Sequence, residues 1–261
     1  MAVLRRFRFF VSLASVAGAL SLAVASIGCN SLVTSPTVAV PTTSQFNTAL
    51  IAPGGSSIST FSLTTTMTVG VTLVSVISNV TGNVLLPTMN LSVGTLTNPS
   101  TCSPLSAPKS VMPALAAQVQ LTSPPGTYCV FVQDAGLGEP GITTVRINMS
   151  STAPTNDPTP ANIDVFSSTV GAQGSAVHQI PILYNGMTSL TLVSAGASAT
   201  IGMGFGAWDG QVCRLNSTVV VQANTNPLIV ATVDPGNYCI RVYDVGQLTS
   251  PILFTIDTIY P

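Results

Sequence analysis

Pro125-Gly126-Thr127-Tyr128-Cys129-Val130-Phe131-Val132-Gln133-Asp134 returns later in the chain as Pro235-Gly236-Asn237-Tyr238-Cys239-Ile240-Arg241-Val242-Tyr243-Asp244. In each copy a further cysteine, Cys102 or Cys213, lies 27 or 26 positions upstream. A turn, an aromatic residue, a cysteine and an alternating strand in one register mark two copies of one module. Each copy carries its own predicted disulfide, Cys102–Cys129 and Cys213–Cys239. Side chains alternate across a strand, so Tyr128, Val130 and Val132 share one face, as do Tyr238, Ile240 and Val242. That uniformly apolar face is predicted to line the core, leaving Cys129 and Cys239 on the outer face of their sheet. The disulfides are then expected to join neighbouring elements of one sheet, or a covering loop, rather than to cross between sheets. An immunoglobulin domain would set the tyrosine two residues before the cysteine and supply a core tryptophan. Here the two are adjacent, and Trp208 occurs in only one copy.

Outward from these strands the period stays at two. Val71-Thr72-Leu73-Val74-Ser75 matches Leu190-Thr191-Leu192-Val193-Ser194, and the closing strands Thr144-Val145-Arg146-Ile147 and Leu253-Phe254-Thr255-Ile256 are read as counterparts. Turn signals such as Asn185-Gly186, Asp209-Gly210 and Pro235-Gly236 separate short strands. Leu115-Ala116-Ala117-Gln118 fits a helical turn. Pro154, Pro158 and Pro160 break any strand or helix there, so 152–160 reads as a linker between modules at 44–151 and 161–261. The fold class predicted is all-β: two tandem antiparallel, jelly-roll-like β-sandwiches after a signal peptide and a flexible tether.

Arg5, Arg6 and Arg8 precede an apolar run from Phe9 to Ala25, the anatomy of a bacterial export signal over 1–28. Ser26-Ile27-Gly28-Cys29 resembles a lipobox, whose cysteine takes an acyl anchor and becomes the mature N-terminus. Two alternatives are cleavage after Ala23-Val24-Ala25 and an uncleaved anchor, for which about 17 apolar residues is a minimal span. Four cysteines pair among themselves, which leaves Cys29 for lipidation. Ser-, Thr- and Pro-rich 29–43 then acts as a tether. Loss of the signal leaves four bases against eight acids, a net charge of −4, with no basic patch to meet nucleic acid. With 46% hydrophobic residues the chain is too apolar for disorder.

The run apolar-x-Pro-Gly-x-Tyr-x-Val-x-Val, followed by a Gly-containing loop and a closing apolar strand, resembles the bacterial pre-peptidase C-terminal domain. That resemblance implies an antiparallel sandwich, single or in tandem, on secreted and surface proteins that often carry proteases. The family's acidic strand is replaced by Met89-Asn90-Leu91-Ser92 and Ile201-Gly202-Met203-Gly204, and no protease domain accompanies the modules.

No catalytic pattern repeats with the scaffold. His178 is the one histidine, without a Gly-x-Ser-x-Gly or Cys-His partner motif, so an enzyme is not expected. Asp134 and Asp244 recur at one position, with Glu139 near the first. They suit either a weak calcium site or a carboxylate that bonds its own turn. Trp208, Phe205 and Tyr243 are candidates for a sugar-stacking platform. The widely spaced cysteines argue against zinc, and no cofactor is implied. The expected function is that of a non-catalytic, lipid-anchored envelope protein serving adhesion, envelope structure or ligand presentation. Alternatives are a carbohydrate-binding module and an accessory pair for a secreted protease. Its expected location is the outer membrane or cell surface, or outside the cell if no anchor is added, and its partners would be proteins or polysaccharides.

Overall fold

The computed structural model describes residues 43–98, 101–151, 161–196 and 199–261. The signal segment, Cys29, the linker 152–160 and all of the tether but Thr43 lie outside the described residues. Thr43 itself opens the first strand.

Among the described residues, ten strands build the first sandwich: β1 (Thr43–Ile51), β2 (Ser56–Leu63), β3 (Met67–Ser78), β4 (Val84–Leu85), β5 (Met89–Asn98), β6 (Thr101–Pro104), β7 (Lys109–Val111), β8 (Val119–Ser123), β9 (Gly126–Asp134) and β10 (Gly141–Ser150). Eight build the second: β11 (Asn162–Val170), β12 (Ser175–Ile182), β13 (Gly186–Ala195), β14 (Ile201–Trp208), β15 (Cys213–Val221), β16 (Ile229–Val233), β17 (Gly236–Tyr243) and β18 (Ile252–Tyr260). The sheets run β1-β10-β3-β8 and β2-β9-β5-β6, with β4 beside β3 and β7 beside β5; the second sandwich repeats this order as β11-β18-β13-β16 and β12-β17-β14-β15. All these pairings are antiparallel. Early and late strands of each module alternate between its two sheets, which is jelly-roll topology.

Tyr128, Val130 and Val132 point into the first core and Tyr238, Ile240 and Val242 into the second, all buried. Leu115 to Gln118 is not a helical turn: Leu115 makes an isolated parallel bridge to Val233 of the second sandwich. The closing strands also pair differently from the sequence reading. Gly141 and Ile252 lie opposite the equivalent residues Ile51 and Val170. Thr144 therefore matches Thr255 rather than Leu253, and Arg146 matches Asp257. A bulge confirms the match, since Val74 and Val193 are the unpaired extra residues in β3 and β13.

Both disulfides form within one sheet, Cys102–Cys129 and Cys213–Cys239. They do not link hydrogen-bonded neighbours. β5 lies between β6 and β9, and β14 between β15 and β17. Two strand spacings amount to about 9.5 Å, yet the Cα atoms of Cys102 and Cys129 are 5.8 Å apart. The outer strand bends over the middle one, and a glycine lies at the crossing. A Cβ on Gly94 would lie 2.2 Å from the Ser103 carbonyl oxygen, and one on Gly206 would lie 2.0 Å from that of Arg214. Each bond closes a loop worth about 3.5 kcal/mol in the chain-entropy account. Reduction is therefore expected to lower the urea midpoint of both sandwiches and to steepen the slope, because the unlinked unfolded chain exposes more surface. Urea titrations with and without reductant check this.

The outer face of β1-β10-β3-β8 receives the β16–β17 turn of the second sandwich. Arg146, 1% exposed, passes beneath Gly236 and donates from Nη1 to the Tyr238 phenol oxygen at 3.0 Å and from Nη2 to the Leu115 carbonyl. Its guanidinium lies 5.2 Å from the centre of the Tyr238 ring. Around it the Ala117 amide donates to Asp234 Oδ2 at 2.6 Å, Asn216 Nδ2 to the Val74 carbonyl at 2.8 Å and Asn148 Nδ2 to the Pro235 carbonyl at 3.4 Å. Val74 and Leu115, from the first sandwich, pack into the core of the second. Burial holds the Tyr238 phenol above its ordinary pKa despite the nearby Arg146 charge, so it stays a neutral donor to the Asp234 carbonyl.

Candidate functional site

β1 and β2 are edge strands of opposite sheets, and the space between them closes differently in the two copies. By the strand registers, Asn47, Ser59 and Thr143 of the first sandwich stand where the second has Phe166, His178 and Phe254. In the second, the Phe166 ring meets Phe254 edge-on at 5.1 Å and stacks on His178 at 4.8 Å. Nε2 of His178 meets Asp164 Oδ1 at 2.8 Å, which completes the plug. Without those rings the first sandwich holds a cavity of about 450 Å³, lined by Gln45, Asn47, Ser57, Ser59, Thr60 and Thr143 with Val132 and Val145 at its base. That is within the usual size of small-molecule sites. No residue lining it is charged. Gln45 Nε2 donates to the Thr60 carbonyl at 3.0 Å, and Asn47 Nδ2 is buried without a partner. Sequence reading passed over this site because Gln, Asn, Ser and Thr carry no catalytic or metal-binding signature. Only the mismatch with the aromatic residues of the repeat betrays it, and finding that mismatch needs the strand registers.

The residues singled out from the sequence fall elsewhere. His178 has its acid, Asp164, but among the described residues its hydrogen bonds include no hydroxyl nucleophile. Phe205, Trp208 and Tyr243 do not form one platform. Phe205 is buried in the core against Tyr238. Tyr243 lies on the other face over Gly202, six positions along β14 from Trp208, which is roughly 20 Å.

Asp134 and Asp244 lie in separate sandwiches and anchor loops. Asp134 Oδ1 accepts the Gly136 and Leu137 amides and Oδ2 that of Gly54; Asp244 Oδ1 accepts those of Gly246, Gln247 and Leu248 and Oδ2 that of Gln173. Gly54 and Gln173 both have positive φ, 74° and 55°, so the clamp repeats even where a side chain must adopt a left-handed backbone. Among the described residues no group of three or more His, Cys, Asp or Glu gathers as a metal site, and Glu139 lies by a separate surface hollow with Leu85, Leu86 and Leu137.

Desolvation is the largest single influence on Asp134 and opposes its ionisation, but the amides of Gly54, Leu137, Gly136 and Ala135 together outweigh it and hold its carboxyl below the ordinary range. The Gln173 amide, with those of Leu248, Gln247 and Gly246, does the same for Asp244. A carboxyl more acidic in the folded state stabilises fully above its unfolded pKa, and that stability is lost as pH falls through the folded value. Stability is therefore expected to fall below about pH 4. Asp134→Asn and Asp244→Asn should each lower stability at neutral pH and flatten the acid fall, as read from urea midpoints against pH.

No family model and no curated protein matches the chain. Solved structures overlap it loosely. A Sulfolobus turreted icosahedral virus structure covers 83% of this chain and 92% of its own at 13% identity and TM-score 0.25. The PBSX exported protein XepA covers 84% and 86% at 10% identity and TM-score 0.26. A Paenibacillus xanthan lyase covers 86% of this chain with 26% of its own, at 10% identity and TM-score 0.26. Likeness at these scores carries no argument about function.

Proposed function

We propose that this is a non-catalytic, exported envelope protein, anchored through an acyl group on Cys29, that presents two rigidly joined jelly rolls to a surface partner. The observation that carries the reading is the Arg146 junction, because a buried interface fixes the spacing and angle of the two units as display requires. The two disulfides suit an oxidising compartment. Intact mass of the protein from native membranes, before and after reduction, tests it. A diacyl or triacyl adduct on Cys29 and a gain of four hydrogens on reduction are expected. A chain beginning near Ser26 without lipid would overturn the anchor.

The cleft between β1 and β2 favours a second reading, binding of a neutral polyhydroxyl ligand of the carbohydrate class. Uncharged amides and hydroxyls line it, with Val132 and Val145 beside them. A saccharide panel titrated by NMR should shift the Asn47 and Ser59 amides. The plugged variant Asn47→Phe/Ser59→His/Thr143→Phe should stay folded and lose the shifts. Unshifted amides across the panel would sink the reading.

A further inference from the structure

The junction inside the chain has an unused counterpart at each end. The row Ser44, Asn148, Gly70 and Gln120 crosses the outer face of the first sandwich, and Asp234 and Pro235 sit against its last three members around a hollow of about 20 Å³. Equivalent strand positions in the second sandwich give the row Ile163, Ile259, Ser189 and Val230. Nothing described covers that row. With Val165, Val193 and Leu253 on the same face, its apolar members are 43–68% exposed, whereas Val74, the counterpart of Val193, is fully buried by the junction. Monomeric proteins rarely leave so many large apolar side chains together on one face.

The seating end is also duplicated. Asp234, Pro235 and Asn216 dock in the existing junction, and their counterparts in the first sandwich, aligned through the repeated turn and cysteines, are Pro124, Pro125 and Leu105, all exposed. Polarity changes on both sides together. The covered junction joins Asp234 and Asn216 to a face bearing Arg146 and Asn148. The uncovered pair sets prolines and Leu105 against isoleucines and valines, with Asp257 replacing Arg146 as the one charge on the strand.

We propose that copies of this chain associate head to tail, the Pro124–Pro125 end of one copy seating on the outer face of β11-β18-β13-β16 of the next. The inference goes beyond display and does not depend on the anchor at Cys29. Such a contact is heterologous, with different patches on each side, so it propagates into a filament or closes into a ring.

Sedimentation velocity of the protein as the cell delivers it, in non-ionic detergent that keeps leader or acyl groups from gathering copies, tests the proposal. Mass is expected to rise with concentration between about 1 and about 100 µM. Ile163→Lys/Val230→Lys blocks the face, and Leu105→Lys/Pro124→Lys blocks the end; all four positions are exposed, and an unchanged urea midpoint verifies folding. Each blocked variant alone should stay monomeric. Mixed in equal amounts they should form particles of about twice the monomer mass and no larger, because each keeps one working half. A parent that stays monomeric throughout assigns the face to another partner and overturns the proposal. An end-blocked variant that still associates, or a mixture that does not, overturns it too.

Discussion

Replacing Arg146 with alanine is expected to split the thermal unfolding of the protein into two transitions, one for each sandwich. The guanidinium fills the space beneath Gly236 and bonds both the Tyr238 phenol and the Leu115 carbonyl, so truncation opens a cavity and unhooks the loop that carries Leu115 into the neighbouring core. Central arginines and tyrosines of interfaces cost about 2–4 kcal/mol when truncated, and a loss of about 3 kcal/mol of coupling is expected here. Methionine at the same position should be milder. The ion pairs among the described residues are His178–Asp164 and Arg214–Asp209, so Arg146 is buried without a direct carboxylate partner. Its Nε is also unbonded. A charge held this way pays a desolvation penalty that an apolar side chain of similar length avoids. Calorimetry of the parent and both variants checks the order. A single transition in the alanine variant would show that Arg146 does not couple the sandwiches.

Gly206→Ala is expected to have the larger effect on the second sandwich itself. Its Cβ would overlap backbone, at 2.0 Å from the Arg214 carbonyl oxygen and 2.7 Å from the Leu215 Cα, and no rotamer change can relieve that. β15 would have to lift from β14, carrying Cys213 away from Cys239. A destabilisation above about 3 kcal/mol follows from a backbone clash of this kind, together with free thiols in the purified protein. Thiol titration and urea unfolding measure the two consequences separately. Gly94→Ala should do the same in the first sandwich. Gly126→Ala, whose nearest neighbour would be a Tyr128 ring carbon at 3.5 Å, should be tolerated and serves as control.

Much of the architecture was legible in the sequence because the repeat is written in residue types that constrain geometry. The Pro-Gly turn, the Tyr-Cys pair and the alternation along β9 and β17 give the inward face and the disulfide partners. What escaped is what a period of two conceals. Sliding β18 by two residues leaves its inside-outside pattern intact, so hydropathy alone set Thr144 against Leu253, when the true partner is Thr255. That shift hides the exchange of Arg146 for Asp257, and with it the reason one face is covered and its twin is bare. Leu115-Ala116-Ala117 reads as helical because small apolar residues suit a helix. Its conformation is set by the neighbouring sandwich, which local sequence cannot report. The cleft between β1 and β2 was invisible for a related cause, since it exists through what Asn47, Ser59 and Thr143 fail to fill. Phe205, offered for sugar stacking, shows the limit of counting aromatics without their faces, as it points inward from β14.

The pairing of β1 with β10 also governs how the protein answers a mechanical pull. Thr43 stands opposite Met149, and Asn162 opposite Tyr260, so chain enters and leaves each sandwich on neighbouring antiparallel strands at one end. Tension between those ends meets the hydrogen bonds of a single strand pair one after another, in the manner of a zip, instead of loading the whole row at once. The first strand would peel away at low force while β2, β9 and the cystine over β5 remain outside the path of tension. A load passed through such a joint would be met by release of a short length of chain, taken up again when the strand closes.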